Sequence, residues 1–181
     1  NKSKVSLYKS EMQRPYFVDK TLILSELFPF VESGNSHICI TRPRRFGKTM
    51  IAKRIPTILP PLTKEESMEL TKLYSIVGGL NANQPLILER PFREVHHTAT
   101  KSALIGGGLI PRPGEISLAD KGVLFLDEIA EFQKPVLEML RQPLEEHFIK
   151  IIRNRGVYHF PAEFLLVAAM NPCPCGNYPD L

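Results

Sequence analysis

The sequence predicts an α/β fold built on a mainly parallel sheet, and three observations carry that prediction. Short apolar segments at 37–41, 122–129 and 164–170 have the composition of buried strands. Segments with helical spacing separate them, an alternation typical of parallel sheets. The triplet Gly-Lys-Thr at 47–49 lies between the first strand and the following helix, which is the context that a phosphate-binding loop requires.

The amino-acid composition is that of a globular protein and argues against a secreted or membrane-spanning one. The 181 residues can bury one sizeable core, and 43% hydrophobic with 23% charged residues is ordinary for a globular domain. A net charge of +4 permits a polyanionic partner without requiring one. Three cysteines without framework spacing argue against a secreted disulfide scaffold, and no signal peptide or membrane-length apolar run is visible. We therefore expect a cytoplasmic protein with no membrane partner. An Asn start and a Pro/Cys/Gly-rich end indicate an incomplete chain.

The first half of the chain gives these elements in order. Residues 1–20 are polar, and we expect them to be loosely ordered. Apolar residues at helical spacing predict a helix over 21–34. A short buried strand follows at 37–41, and the helix after the GKT triplet is expected to end or bend at Pro56. The sequence from Lys64 predicts a further helix, which Gly78–Gly79 closes.

The second half contains one long segment without clear periodicity. We predict that 81–114, rich in Gly, Pro and His, is irregular, and loops of this length are usually functional insertions. The apolar segment 122–129 is a strand ending in two acids. A helix from Pro135 is expected to kink at Pro143, and the turn residues at 154–156 predict a β-hairpin.

The GKT triplet supplies the last three positions of a phosphate-binding loop, although Arg42 occupies the first glycine position. Since Arg42 precedes proline, it is biased towards an extended conformation and simply prolongs the strand. The alternative interpretation is a basic surface turn that contains GKT by chance. The residues predicted to contact nucleotide are Arg44, Arg45, Phe46, Gly47, Lys48, Thr49 and Met50.

Two further polar positions follow apolar strands. Asp127 and Glu128 end the strand at 122–129, where Asp127 and the Thr49 hydroxyl would hold Mg²⁺ and Glu128 would polarise the attacking water. Asn171 follows the strand at 164–170, where its amide would orient that water. Taken separately, the acids are also explained by a solvated turn and Asn171 by a turn before proline. Three such strand ends together indicate an NTPase that uses Mg²⁺.

From Lys48 onwards the chain resembles the magnesium-chelatase-like AAA+ ATPases of the competence-associated type. The segments that carry the resemblance are GKTMIAKRIPTILPPLTKEE, RPFREVHHTATKSALIGGG, PRPGEISLADKGVLFLDEIAEF, VLEMLRQPLEE and FPAEFLLVAAMNPCPCG. It implies an incomplete AAA+ core over 21–181, a three-layer α/β/α fold without the C-terminal helical lid. The DE pair would be Walker B and Asn171 sensor 1. A helix-2 insert would span about 92–121 and a pre-sensor hairpin about 148–160.

Residues 1–49 resemble a different group, the predicted AAA-ATPase-like proteins, through YFVDKT and RPRRFGKT. The two resemblances meet within 42–50. A natural recombinant, a chain assembled by cloning and a designed hybrid would each explain such a seam.

The resemblance also implies a hexameric ring and ATP-driven DNA remodelling such as branch migration. Because such rings complete each site with a lid residue and a neighbour's arginine, we expect this chain to hydrolyse ATP weakly. Two alternatives remain open at this point. One is a nucleotide-binding protein that hydrolyses little, and the other is a chelatase-like motor acting on a protein or porphyrin system.

Two smaller features have alternative explanations. One feature is a set of residues of the types that bind metals, namely His96, His97, Cys173 and Cys175. Their spacing is not that of a zinc finger. The cationic residues of the predicted hairpin would contact DNA phosphates or simply form a solvated face. Those hairpin residues are Lys150, Arg153 and Arg155.

Overall fold

The computed structural model describes residues 37–41, 47–80, 85–153 and 156–170, which all belong to one unit spanning 35–181. The predictions for residues 1–36, for Arg42, Arg44, Arg45, Phe46 and Arg155, and for Asn171, Cys173 and Cys175 fall outside the described residues.

Eight strands occur in the described residues: β1 His37–Thr41, β2 Phe92–Val95, β3 Gly106–Gly107, β4 Arg112–Pro113, β5 Val123–Leu126, β6 Phe148–Arg153, β7 Gly156–Pro161 and β8 Leu165–Met170. Six α-helices accompany them: α1 Lys48–Ala52, α2 Lys64–Val77, α3 Lys101–Ile105, α4 Glu115–Leu118, α5 Lys134–Glu138 and α6 Arg141–Glu146. Short 3₁₀ turns follow α1 and β5, at Ile55–Thr57 and Ile129–Glu131.

The main sheet is parallel and has the strand order β1-β8-β5-β2 among the described residues. Each neighbouring pair is therefore joined through a crossover, as the predicted α/β class requires. Two small antiparallel ribbons, β3-β4 and β6-β7, stand apart from this sheet. The second of these is the hairpin that the sequence predicts. The α/β class with a parallel sheet is thus confirmed.

Strands β5 and β8 form the centre of the sheet because their side chains are apolar on both faces. All four residues of β5 are fully buried, and five of the six residues of β8 are buried. Burying one such side chain stabilises the fold by about 1.5–3 kcal/mol. The ring of Phe125 in β5 stacks on Phe92 of β2 with centroids 5.8 Å apart.

Helix α2 shows how local sequence sets element ends. Its N-cap Thr63 accepts a hydrogen bond from the Glu66 N–H at 3.2 Å, while the Glu66 carboxylate accepts one from the Thr63 N–H at 2.9 Å. Gly78 ends the helix in the left-handed conformation, at φ 71°. Tyr74 on this helix donates its hydroxyl to the Leu118 carbonyl at 2.8 Å, fixing α2 against the end of α4.

Four predictions about elements need correction. The stretch 81–114 is not irregular throughout, because it contains β2, α3 and the β3-β4 ribbon. Strand β1 forms as predicted, but His37 and Cys39 are exposed and Ile38 is only half-buried. In the described residues β1 has β8 as its one partner, so it is an edge strand of that sheet.

The third correction concerns the helix predicted from Pro135, which is two short helices, α5 and α6. Met139 is the C-cap of α5 and Leu140 is the N-cap of α6, so the break lies between these two residues. Pro143 has no N–H, so the carbonyl of Met139, one turn earlier, lacks its helical hydrogen bond. The regular helix is therefore interrupted at Met139. The sequence predicts that the helix at residue 48 reaches Pro56, but it ends at Ala52, and Pro56 lies within the 3₁₀ turn Ile55–Thr57.

Candidate functional site

The GKT triplet lies where a left-handed glycine turns the chain into helix α1. Gly47 has φ 76° and ψ 35°, a conformation that glycine adopts readily because it has no Cβ. Its carbonyl accepts the Ile51 N–H at 3.1 Å, which is the first hydrogen bond of the helix. Thr49 is half-buried and Met50 is 68% exposed. The backbone at 47–49 therefore has the turn-into-helix form that the phosphate-loop prediction requires.

The two acids follow strand β5 directly and are both half-buried. The Asp127 N–H continues the sheet by donating to the Val95 carbonyl at 3.3 Å. One carboxylate oxygen of Asp127, Oδ1, accepts the Glu128 N–H at 3.0 Å. Glu128 itself is left-handed, with φ 55° and ψ 50°. A non-glycine residue in this region costs free energy, and such residues concentrate at functional sites.

Two histidines at the end of β2 face Glu128. The Oε2 atom of Glu128 lies 3.3 Å from His97 Nδ1 and 4.0 Å from His96 Nε2, and the two imidazole rings have centroids 4.0 Å apart. The 3.3 Å contact lacks hydrogen-bond geometry, since His97 Nδ1 is buried without a hydrogen-bond partner in the described structure. We regard it as a close polar contact and not as a formed hydrogen bond.

The strand order brings these parts to one edge of the sheet. Strand β8, which leads towards Asn171, lies between β1 and β5, with Thr41 level with Met170 and Leu126 level with Ala168. Neighbouring strands are about 4.8 Å apart, so β1 and β5 are separated by roughly 10 Å. All three strands are parallel, and their carboxyl ends meet at this edge, where ligands of open α/β sheets bind.

The chemistry of the donors fits a hard cation. The Asp127 carboxylate and the Thr49 hydroxyl offer oxygen ligands, the type that Mg²⁺ prefers, at the edge where the GKT turn opens. The histidines offer nitrogen, which Mg²⁺ does not favour.

Comparison with known proteins identifies the family. The family model described as "Magnesium chelatase, subunit ChlI" matches residues 27–181. The chain belongs to the magnesium chelatase family. It is 49% identical over 146 residues to Competence protein ComM from Haemophilus influenzae, an alignment that covers 81% of this chain and 28% of ComM. The chain spans less than a third of the length of the curated relatives that it matches.

Two solved structures resemble this member of the magnesium chelatase family. The complex of subunits BchI and BchD of magnesium chelatase aligns with a TM-score of 0.62 at 18% identity, covering 89% of this chain and 54% of that chain. NtrX from Brucella abortus in complex with ATP aligns with a TM-score of 0.55 at 20% identity, covering 97% and 37%. At these identities the likeness shows the fold, which is that of AAA+ proteins.

The two antiparallel ribbons lie beside each other. A Cβ at Gly107 in β3 would lie 3.2 Å from the Arg153 guanidinium at the end of β6. The β3-β4 turn presents Leu109 and Ile110, which are 88% and 72% exposed. Lys150 on β6 is also exposed. The range 92–121 predicted as an insert thus holds a strand of the main sheet, β2, as well as the β3-β4 ribbon.

A cleft of about 370 Å³ lies beside the β3-β4 ribbon and the start of α3, and neither Asp127 nor Glu128 lines it. We place the candidate site at the sheet edge, where Asp127 and Glu128 follow β5 and His97 contacts Glu128, because the cleft is lined largely by glycine and apolar residues.

Sequence reasoning did not predict that His96 and His97 contact Glu128, and grouped them with the cysteines instead. The signal that identifies this contact is the strand FREV, Phe92–Val95. Since β2 pairs in parallel with β5, residues that follow the two strands lie side by side. The helices in the described part of the chain include none with the length and apolar character of a membrane span.

Proposed function

We propose that this chain binds ATP with Mg²⁺, hydrolyses it, and couples hydrolysis to the remodelling of DNA within a ring of subunits. One observation carries the proposal: the strand order sets the GKT turn, the Asp-Glu pair and the strand leading to Asn171 at a single edge of the sheet. The AAA+ fold and the likeness to an ATP complex of NtrX support the choice of nucleotide.

Each residue of the site has a distinct role in this proposal. The backbone around Gly47 approaches the phosphates closely, and the Lys48 ammonium balances their charge. Thr49 and Asp127 would hold Mg²⁺, which would neutralise charge on the transferred phosphoryl group when bound. Glu128 would accept a proton from the attacking water, and Asn171 would orient that water.

The proposal of DNA as the substrate rests on charge and exposure. Lys150 and Arg153 present cations on one ribbon, and Arg112 is exposed on the adjacent one. Cations on exposed ribbons are suited to phosphate contacts that do not depend on base sequence. A chelatase-like motor acting on a protein or porphyrin partner is the second candidate, favoured by the family to which the chain belongs.

ATP hydrolysis measured with and without DNA tests the proposal. We expect a basal turnover below about 1 s⁻¹, because ring ATPases receive an arginine from a neighbouring subunit that is worth roughly 10³-fold or more. Added DNA should raise the rate several-fold. The double variant Lys150→Gln/Arg153→Gln should keep the basal rate and lose most of that stimulation.

The matched control is Lys72→Gln/Lys134→Gln, which removes two exposed charges from helices α2 and α5. It should respond to DNA as the wild type does. Basal hydrolysis that DNA leaves unchanged would contradict the DNA part of the proposal and favour the chelatase-like alternative. Absence of ATP binding would contradict the whole proposal.

A further inference from the structure

Three potential metal ligands converge at the carboxyl ends of β2 and β5. His96, His97 and Glu128 each offer one donor atom, and these atoms all lie within 4.8 Å of one another. The Glu128 Oε2 distances are 3.3 Å to His97 Nδ1 and 4.0 Å to His96 Nε2. In a tetrahedral zinc site with bonds near 2.0–2.1 Å, ligand atoms are about 3.3–3.5 Å apart. One contact already has this spacing, and the third donor, His96 Nε2, is 4.0 Å from Glu128 Oε2 and would have to move closer on metal binding.

The donor types select the class of metal. Two imidazole nitrogens and one carboxylate oxygen form a set that zinc uses with an open fourth position. Mg²⁺ and Ca²⁺ prefer all-oxygen sets, so this cluster discriminates against them. The cluster is therefore distinct in chemistry from the oxygen donors Thr49 and Asp127, although it shares the same sheet edge.

Two details of the surroundings fit a ligand site. His97 Nδ1 is buried without a hydrogen-bond partner in the described structure, a costly arrangement that a bound cation would relieve. His96 Nδ1 lies 3.1 Å from the Thr98 hydroxyl. If His96 Nδ1 donates its proton to that hydroxyl, the tautomer leaves Nε2, the atom facing Glu128, with its lone pair free for a metal. Such outer-shell partners orient the ligating histidines of metal sites.

We propose that His96, His97 and Glu128 form a site for a transition-metal dication of the zinc class, and that occupancy of this site blocks ATP hydrolysis. The second part rests on the proposed function. Glu128 is the residue assigned to accept a proton from the attacking water, and a carboxylate coordinated to zinc is a much weaker base. Metal bound here and catalysis by Glu128 are therefore mutually exclusive.

Zinc binding is measured by calorimetric titration of Zn²⁺ alone into the full chain. The background carries Cys39→Ser, Cys173→Ser and Cys175→Ser, because thiols compete for zinc. We expect one bound zinc per chain, with the affinity lowered at least tenfold in His96→Gln, His97→Gln and Glu128→Gln. The control is His159→Gln on strand β7, which removes an imidazole outside the cluster and should bind zinc as the parent does.

Glu128→Gln keeps the shape of the side chain, and it therefore tests the site even if His97→Gln fails to fold. Equal zinc affinity in the parent, Glu128→Gln and His96→Gln would overturn the proposed site, and so would no binding in the parent.

The second measurement is ATP hydrolysis as zinc is raised, with each protein normalised to its own zinc-free rate. The parent and His159→Gln should lose activity as zinc binds and regain it when a chelator is added. His96→Gln should need at least tenfold more zinc for the same fractional loss. Zinc bound at the cluster without loss of activity would overturn the inhibitory role. Zinc binding that depends on the three residues, in a chain that never hydrolyses ATP, would support the site and contradict the proposed function.

Discussion

The two ends of strand β5 use polar residues in opposite ways. At the amino end, Asp120 is fully buried and its Oδ1 accepts the Glu163 N–H at 2.8 Å. The Lys121 ammonium pairs with the Glu163 carboxylate, and the Arg90 guanidinium donates to the Lys121 carbonyl. Gly122 packs directly against Pro91, with no room for a side chain between them. These contacts join three chain segments and leave little of the end of the sheet open to a ligand.

At the carboxyl end the polar residues His97, Asp127 and Glu128 are half-buried, in contrast to the fully buried Asp120. Glu128 is 35% exposed, and its contact with His97 is close but lacks hydrogen-bond geometry. Each end has one non-glycine residue with positive φ, Lys121 at 54° and Glu128 at 55°. At Lys121 this conformation is held by a backbone hydrogen bond to Glu163 and by the ion pair with its carboxylate. At Glu128 the left-handed backbone directs the carboxylate towards the candidate site. The residues at the amino end therefore stabilise the fold, whereas those at the carboxyl end are the ones that we propose for chemistry.

The largest effect is expected at the amino end, from Gly122→Ala. A Cβ there would lie 2.2 Å from the Pro91 carbonyl oxygen, which accepts the Val123 N–H at 2.8 Å within the sheet. Because that backbone cannot move without breaking the ladder, the free energy of unfolding should fall by about 3–5 kcal/mol. Urea unfolding measures this, and the ATP affinity of the protein that remains folded should not change.

Gly79→Ala is the matched control for this substitution. Its Cβ would lie 3.2 Å from the Tyr74 ring, 3.4 Å from the Val77 side chain and 3.6 Å from the Tyr74 carbonyl oxygen. These contacts need a shift of only a few tenths of an ångström, so the loss should stay below about 1 kcal/mol. A Gly122→Ala protein as stable as the wild type would contradict our conclusion that the amino end of β5 stabilises the fold.

A smaller effect is expected from Asp120→Asn, through pH. Burial, opposed by the Glu163 N–H and the Lys121 charge, raises the pKa of Asp120 from 3.8 to about 6. Between these two values the folded state binds more protons than the unfolded state, so this carboxyl's contribution to stability declines as pH rises from about 4 to 6. Asn keeps the acceptor for Glu163 and does not titrate.

The difference in the free energy of unfolding between Asp120→Asn and the wild type should therefore move by about 2–3 kcal/mol in favour of the variant from pH 4 to 7. Urea unfolding at several pH values gives this difference, in which the contributions of other titrating groups largely cancel. A difference that does not vary with pH would mean that Asp120 has an ordinary pKa in the folded protein.

The smallest effect is expected from Arg42→Gly, next to the carboxyl end of β1. If Arg42 only prolongs the strand before Pro43, ATP affinity should change by no more than a few-fold, less than about 1 kcal/mol. If instead its guanidinium replaces the missing loop glycine by pairing with phosphate, the loss should reach roughly 1.5–3 kcal/mol and weaken with salt. Calorimetric titration of ATP at two salt concentrations distinguishes these cases.

The sequence predicts the centre of the fold better than its edges, for a physical reason. Strands β5 and β8 are apolar on both faces, so their composition alone indicates burial. Strand β2 contains Arg93 and Glu94, which look like loop residues until their partners are known. Arg93 makes a two-point ion pair with Glu115, and Glu94 pairs with Lys53. Such pairing across distant segments has no local signal.

In the candidate site, too, some residues can be predicted from local sequence, whereas others depend on contacts between distant segments. Asp127 and Glu128 are predictable because they end an apolar strand. The contact of His97 with Glu128 joins residues about 30 positions apart, and it depends on β2 pairing with β5. Once β2 is missed, nothing in the spacing of the histidines points to the acids.

Binding of a fluorescent ATP analogue in the presence of Mg²⁺ tests the central claim most directly, measured on Lys48→Ala and Glu128→Gln. Removing the ammonium of Lys48 should abolish binding, since that cation is assigned to the phosphates. Glu128→Gln should bind as the wild type does and fail to turn over, because Asp127 still serves Mg²⁺. Lys53→Ala is the control, a cation at the other end of the same helix that pairs with Glu94 at 3.0 Å and should bind ATP normally. Equal loss of binding in Lys48→Ala and Glu128→Gln, or full binding by Lys48→Ala, would contradict the account.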